Sequence, residues 1–182
     1  MIKNEPIQSQ IATFAGGCFW CTQHEFDSVP GIISTTVGYT GGSTKNPSYK
    51  EVCSGTTGHV ESIQIAFDPA KITYRQLLDV YWRSIDPTTQ KGQFCDIGEQ
   101  YRPIIFYHNE WQHQEALESK RALIDSGVVD QVLVNILPAS SFFPAEEYHQ
   151  KYYQKSSTRY ELYYFGSGRD RRLKEIWREQ TL

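Results

Sequence analysis

The chain is predicted to adopt an α/β (α+β) fold, and three observations predict it. Residues 60–67, Val-Glu-Ser-Ile-Gln-Ile-Ala-Phe, alternate as a half-buried strand does. Tyr74, Leu77, Leu78, Tyr81, Trp82 and Ile85 recur at helical spacing. Through residue 107 the strand-like and helix-like runs follow in the order βαββαβ, the split βαβ, ferredoxin-like arrangement. Further helices and loops follow this core.

Taken in order, strands are predicted at 11–15, 32–38, 60–67, 102–107 and 132–137. Helices are predicted at 18–27, 74–85, 110–126, 145–154 and 170–179. Thr73 with Gln76 forms a capping-box start for the second helix. Asn109 with Gln112 does similar work for the third, and Gly127 stops it. Pro144 at a first helical position, with Glu146 and Glu147 behind it, marks the fourth start. The Gly/Ser/Thr/Asn/Pro-rich stretch 38–58 reads as a long loop between the two middle strands, and such loops tend to be functional.

The 182 residues suit a single domain, 1–182, with a sizeable core. A formal net charge of −3 argues against a nucleic-acid footprint. The start Met1-Ile2-Lys3-Asn4-Glu5-Pro6 is polar, unlike a signal peptide, and no run approaches the ~20 apolar residues of a membrane span. The four cysteines are too few for a secreted disulfide scaffold, so a cytoplasmic protein with redox-active thiols is expected.

Gly16-Gly17-Cys18-Phe19-Trp20-Cys21 carries the chemistry. The glycines allow a tight turn out of the first strand and leave room for a ligand. Cys18 then falls in the first helical turn, where unpaired N–H groups and the dipole favour a thiolate. The offset to Cys21 puts both sulfurs on one face, close enough for a disulfide. Phe19 and Trp20 between them could wall an apolar recess. A zinc half-site needs a second ligand pair, whereas Cys53 and Cys95 stand singly.

Alternation puts Glu61 on the strand face that collects Ile63, Ile65 and Phe67. It is either a strand-end residue reaching solvent or a buried acid with a raised pKa. A carboxyl of the second kind can give up a proton near neutral pH. A thiolate and a neutral acid around one pocket are what the reduction of an oxidised sulfur requires.

An ordered set of segments then resembles the peptide methionine sulfoxide reductase A family. They are Gly16-Gly17-Cys18-Phe19-Trp20, Val37-Gly38-Tyr39-Thr40-Gly41-Gly42, Asn46-Pro47-Ser48-Tyr49, Glu51-Val52-Cys53-Ser54-Gly55 and Thr57-Gly58-His59-Val60-Glu61. Asp96-Ile97-Gly98-Glu99-Gln100-Tyr101-Arg102, Ile104-Ile105-Phe106-Tyr107 and Pro144-Ala145-Glu146-Glu147-Tyr148-His149-Gln150 complete the set, across roughly 11–155. The resemblance implies a ferredoxin-like core and reduction of methionine-S-sulfoxide, free or in oxidised proteins. It implies that Cys18 is the nucleophile and passes through a sulfenic acid, and that Glu61 is the acid. Tyr49 and Tyr101 would hold the sulfoxide oxygen with Asp96 in the same polar network, and Phe19 and Trp20 would seat the substrate methyl group. It also implies recycling by thioredoxin, with no metal or organic cofactor. His59, His149 and Gln150 receive structural hydrogen bonds only, and Cys53 a structural place.

The chain departs from the family pattern at Cys21, often Gly, and at Cys95, usually not a thiol. It also lacks tail cysteines, since Gly166-Ser167-Gly168 is followed by Arg169, Arg171 and Arg172. Cys21 is the expected resolving thiol, with Cys95 the alternative. The basic tail reads as a solvated helix face, and the protein as a monomer. One rival reading is a thioredoxin-like dithiol oxidoreductase, although there Trp precedes the first Cys rather than following it. The other is a binding module for methionine-rich peptides.

Overall fold

The computed structural model describes residues 9–177; the Met1–Pro6 segment and residues 178–179 of the last predicted helix lie outside the described residues. The elements run β1 (Gln10–Ala15), α1 (Phe19–Asp27), β2 (Ile32–Thr40), α2 (Tyr49–Cys53), β3 (Val60–Phe67) and α3 (Tyr74–Ser84). They continue with β4 (Gly92–Gln93), β5 (Asp96–Ile97), β6 (Ile104–Tyr107), α4 (Glu110–Asp125), β7 (Asn135–Pro138) and β8 (Phe143–Pro144). Three helices close the described chain: α5 (Tyr152–Lys155), α6 (Ser157–Gly166) and α7 (Arg169–Trp177).

Six strands form one sheet in the order β7-β6-β1-β3-β2-β8, and β4 and β5 make a small hairpin. β3 lies between β1 and β2, as a split βαβ unit requires, and pairs antiparallel with both. β6 runs antiparallel to β1 on its other side, and β7 parallel to β6. The four strands of the βαββαβ run thus lie side by side at the centre of the sheet, in the spatial order β6-β1-β3-β2.

The local signals work as the residues dictate. Thr73 and Gln76 close a reciprocal capping box at the start of α3. The Asn109 side chain accepts from the Gln112 N–H at the start of α4. Tyr74, Leu77, Leu78, Tyr81 and Trp82 of α3 are buried, each contributing about 1.5–3 kcal/mol by removal from water. Phe14 of β1 stacks on Tyr81 at 5.0 Å and on Phe26 of α1 at 5.6 Å, tying sheet to helices.

Three expectations need correction. The stretch 38–58 is not all loop: Ser48 and Glu51 form a capping box that starts α2, which carries Tyr49 and Cys53. A continuous helix at 145–154 does not form. Pro144 sits in β8 opposite Gly38, and the Ala145 N–H bonds the Val37 carbonyl. The Gln150 amide binds both the N–H and the carbonyl of Val37, and the Lys151 N–H goes to Gln23. Lys151 takes a φ of 52° as a result, and only a short 3-10 turn at Glu147–His149 and α5 remain helical. These sheet contacts outweigh local helix preference. Finally, the sequence missed α6 altogether, and the strand expected at 132–137 forms only from Asn135.

Candidate active site

The site is built where β1 turns into α1. Gly17 takes a φ of 82°, and a Cβ there would meet the Gln93 Cβ at 2.6 Å, so this turn accepts no side chain. Cys18 follows as the N-cap, with φ −57° and ψ 119°, one residue ahead of the first helical turn where the sequence put it. The helix N–H next to it, that of Phe19, donates to Glu61 Oε2 at 3.0 Å. An orphan donor of the helix start thus holds the carboxyl beside the thiol.

Glu61 is 2% exposed, which decides between the two readings of its alternation in favour of the buried acid. Burial, and the nearness of Cys18, push its carboxyl well above the usual carboxylate range, against the Phe19 N–H that favours its charged form. Cys18 is 6% exposed, and burial, with Cys21 next, pushes its thiol up as well. That corrects the expectation of a resting thiolate at the helix start. Desolvation, together with Cys21 and the nearby Asp96, favours the thiol over the thiolate in the free site.

Cys21 is fully buried one turn along α1, and the two sulfurs lie within side-chain hydrogen-bonding reach. That contact pulls Cys21 below its ordinary value against the cost of burial, with Arg169 and the Tyr160 hydroxyl helping. All four cysteines are free thiols. Cys95 is exposed, hydrogen-bonds Asp96, and feels Cys18 only through space. The structure therefore gives Cys21, not Cys95, the direct contact with Cys18.

The remaining predicted residues converge on the same place. Tyr49 and Tyr101 are half-buried, and burial with the nearby Glu61 raises both hydroxyls, so they remain O–H donors. Cys53 closes α2 and interacts with the Tyr49 hydroxyl. Asp96, on β5, is raised by burial and accepts from the Tyr163 hydroxyl. Phe19 is buried against Tyr39 and His149, with centroids at 5.9 and 5.0 Å. Trp20 is half-buried, stacks on Tyr152 at 3.9 Å and donates its indole N–H to His149 Nδ1 at 3.0 Å.

The expected structural roles of three polar residues are visible. His59 Nδ1 accepts from the Gly42 N–H, so its Nε2 carries the proton and donates to the Thr44 carbonyl. His149 supports the indole, and Gln150 acts as a strand edge for β2. Glu146 gathers the Tyr39 hydroxyl and the Tyr49 N–H at 2.8 Å each, fixing α2 to the sheet.

Sequence reasoning missed the groups from the last two helices. Tyr163 of α6 reaches both Cys18 and Asp96, and Tyr160 reaches Cys21. Arg169 of α7 is 1% exposed, which overturns the reading of the tail as a solvated face at this position. Arg172 stays partly in solvent but pairs with the buried Asp86 at 2.7 Å, while Arg171 is exposed. The turn signal Gly166-Ser167-Gly168 was visible, but nothing local says that the arginine after it returns to residue 16.

Among the described residues no three His, Cys, Asp or Glu side chains converge as a metal site. No helix among them is long and apolar enough to cross a membrane.

Comparison with known proteins gives a consistent picture. The family model described as peptide methionine sulfoxide reductase matches residues 10–181. The peptide methionine sulfoxide reductase MsrA of Bacillus licheniformis is 54% identical over 169 residues, covering 92% of this chain and 93% of that protein. Among solved structures, reduced Mxr1 from Saccharomyces cerevisiae superposes with a TM-score of 0.78 at 35% identity, covering 85% of this chain and 90% of that one. Mxr1 solved in complex with Trx2 superposes with a TM-score of 0.58 at 27% identity, covering 84% and 90%.

Proposed function

The chain belongs to the peptide methionine sulfoxide reductase family, and we propose that it reduces methionine sulfoxide through Cys18 and Glu61 and is recycled through Cys21. It is an oxidoreductase that works with thiols, and thioredoxin returns it to the reduced state. The observation that carries the assignment of roles is the pairing of a buried thiol with a buried carboxyl, held together by the Phe19 N–H.

The chemistry follows from that pairing. Burial keeps a proton on the Cys18–Glu61 pair. The Cys18 sulfur forms a bond to the sulfoxide sulfur while that proton passes through Glu61 to the sulfoxide oxygen. The hydroxyl then passes from the methionine sulfur to the Cys18 sulfur: the methionine S–O bond and the transient S–S bond break as the Cys18 S–O bond forms, which leaves sulfenic acid on Cys18 and frees methionine. One thiol proton enters and one sulfenic-acid proton remains, so the step balances with no metal or organic cofactor. Tyr49 and Tyr101 hold the oxygen as O–H donors, with Asp96 ordering the polar side of the site through Tyr163. Phe19 and Trp20 form the apolar side against the substrate methyl group. The S epimer is the substrate that membership of the family implies.

The Cys21 sulfur then attacks the sulfenic sulfur, water leaves, and a Cys18–Cys21 disulfide forms. Thioredoxin reduces it by exchange. Substrates are free methionine sulfoxide and oxidised proteins, and the protein acts as a cytoplasmic monomer, without nucleic acid or membrane.

A thioredoxin-coupled assay with methionine-S-sulfoxide tests this reading. Turnover of the native protein that Cys18→Ser abolishes is the expected result, since a hydroxyl is far less nucleophilic near pH 7. Insulin disulfide reduction without sulfoxide turnover would instead identify a dithiol oxidoreductase. Binding of methionine-rich peptides without turnover would identify a binding module.

A further inference from the structure

Arg169, the residue after Gly168, is buried at the back of the site. Its Nη1 donates to the Ser84 carbonyl at 2.5 Å and its Nη2 to the Gly16 carbonyl at 3.3 Å. The guanidinium lies over the Phe94 ring at 4.3 Å. Phe94 itself has a φ of 56°, unusual for a bulky residue, in the hairpin that leads to Asp96. A Cβ on Gly17 would stand 3.6 Å from Nη2, so the charge sits directly behind the turn that presents Cys18.

Among the described residues no carboxylate comes within salt-bridge distance of Arg169. Burying a cation without a counter-charge is costly. Two carbonyls and a ring face offset part of that cost. The negative charge that would complete the balance is one the site makes during its cycle, at the two sulfurs. The groups facing Arg169 are Cys21, Cys18, Tyr163 and Tyr164, and Asp96 also feels its charge. Those facing Cys21 are Cys18, Arg169, Tyr160 and Asp96. Burial works against the guanidinium charge, and thiolate character at Cys21 or Cys18 favours it.

We propose that Arg169 is the positioning residue of the resolving step: it pins the Gly16 turn from behind and supplies the positive charge against which Cys21 attacks the Cys18 sulfenic acid. The inference rests on Cys21 being the resolving thiol. In that step the Cys21 sulfur forms the S–S bond as the S–O bond of the sulfenic acid breaks, and hydroxide leaves with the Cys21 proton as water. When thioredoxin opens the disulfide, the same charge favours Cys21 as the leaving thiolate.

The test follows one turnover without reductant, with thiols alkylated at successive times and mapped by mass spectrometry across pH. Arg169→Met should still yield about one methionine per protein in a single turnover but form the Cys18–Cys21 disulfide about tenfold more slowly near pH 7, a larger loss than in the methionine step, with the disulfide pH profile moved to higher pH. Arg169→Lys keeps the charge but not the two-pronged fork, so its disulfide step should slow by a few-fold while the profile stays near native. Native disulfide rate and profile in Arg169→Met would overturn the proposal, as would equal loss of burst and disulfide step. Should Arg169→Met not fold, Arg169→Lys decides alone: native rates for both steps would overturn the clamp, and a slowed disulfide step with native burst and profile would support it. A Cys18–Cys95 disulfide in the native protein would instead show that the resolving assignment has failed.

Discussion

At the scale of single residues, Glu61 shows how an assignment grows from one oddity. A carboxyl alternating with Ile63, Ile65 and Phe67 is out of place, and the strand pattern alone left it at a solvent edge or in the core. The structure puts it in the core, on the Phe19 N–H and beside Cys18. Glu61→Gln keeps the volume and can still accept from Phe19 but holds no proton to give. Single-turnover methionine formation should fall by about 10²–10⁴-fold, the usual worth of general acid catalysis, with substrate binding little changed. A stopped-flow or quench experiment reads this, and an unchanged rate would leave Glu61 a packing residue. Cys18, Cys21, Phe19 and Trp20 were legible because they lie together in six residues. Tyr163 and Arg169 were not, because they reach the site across 145 and 151 residues of chain from Cys18, and such contacts are set by packing rather than by spacing. The apolar residues of α6 even mislead: Leu162 and Phe165 are 72% and 90% exposed, while Tyr160 is the buried one.

At the scale of elements, strands with strict alternation and α3 with its capping box were readable, because local and tertiary preferences agree there. The stretch after Pro144 was not, since Gln150 and Lys151 spend their hydrogen bonds on β2 and α1 instead of on a helix. The turn from β1 into α1 carries the most consequence. Gln93, which a side chain on Gly17 would strike, cannot step aside. Its amide accepts from the Asp86 N–H at 2.8 Å and donates to the Asp86 carbonyl and Thr89 Oγ1. Gly17→Ala should therefore cost more than the ~1–2 kcal/mol of a left-handed backbone. Its melting temperature should drop by roughly 4 °C or more. Sulfoxide turnover should fall with it, since Cys18 is the next residue. Thermal unfolding followed by circular dichroism checks this, and an unchanged midpoint would contradict the rigid turn.

At the scale of the whole molecule, the site is a polar pocket that the fold must stabilise. The Glu61 carboxyl is raised by burial, so the folded protein retains a proton that the unfolded chain releases above about pH 4.3. A group of that sign stabilises fully below its unfolded pKa, and the contribution is lost as pH rises toward the folded one. Glu61→Gln removes the loss. Its melting temperature should match the native protein near pH 4 and exceed it increasingly toward neutral pH, whereas a difference constant with pH would deny the buried acid. Stability and catalysis thus pull in opposite directions at Glu61, as expected where a site is held against the preference of the core. The whole scheme, from nucleophile to resolving thiol, is tested most directly by mapping the cysteines of the native protein after one turnover with methionine-S-sulfoxide and no reductant. The account predicts methionine released together with a Cys18–Cys21 disulfide, and, in Cys21→Ser, the same methionine with Cys18 left as a trappable sulfenic acid. Methionine formed with Cys18 unmodified, or a Cys18–Cys95 disulfide in the native protein, would contradict it.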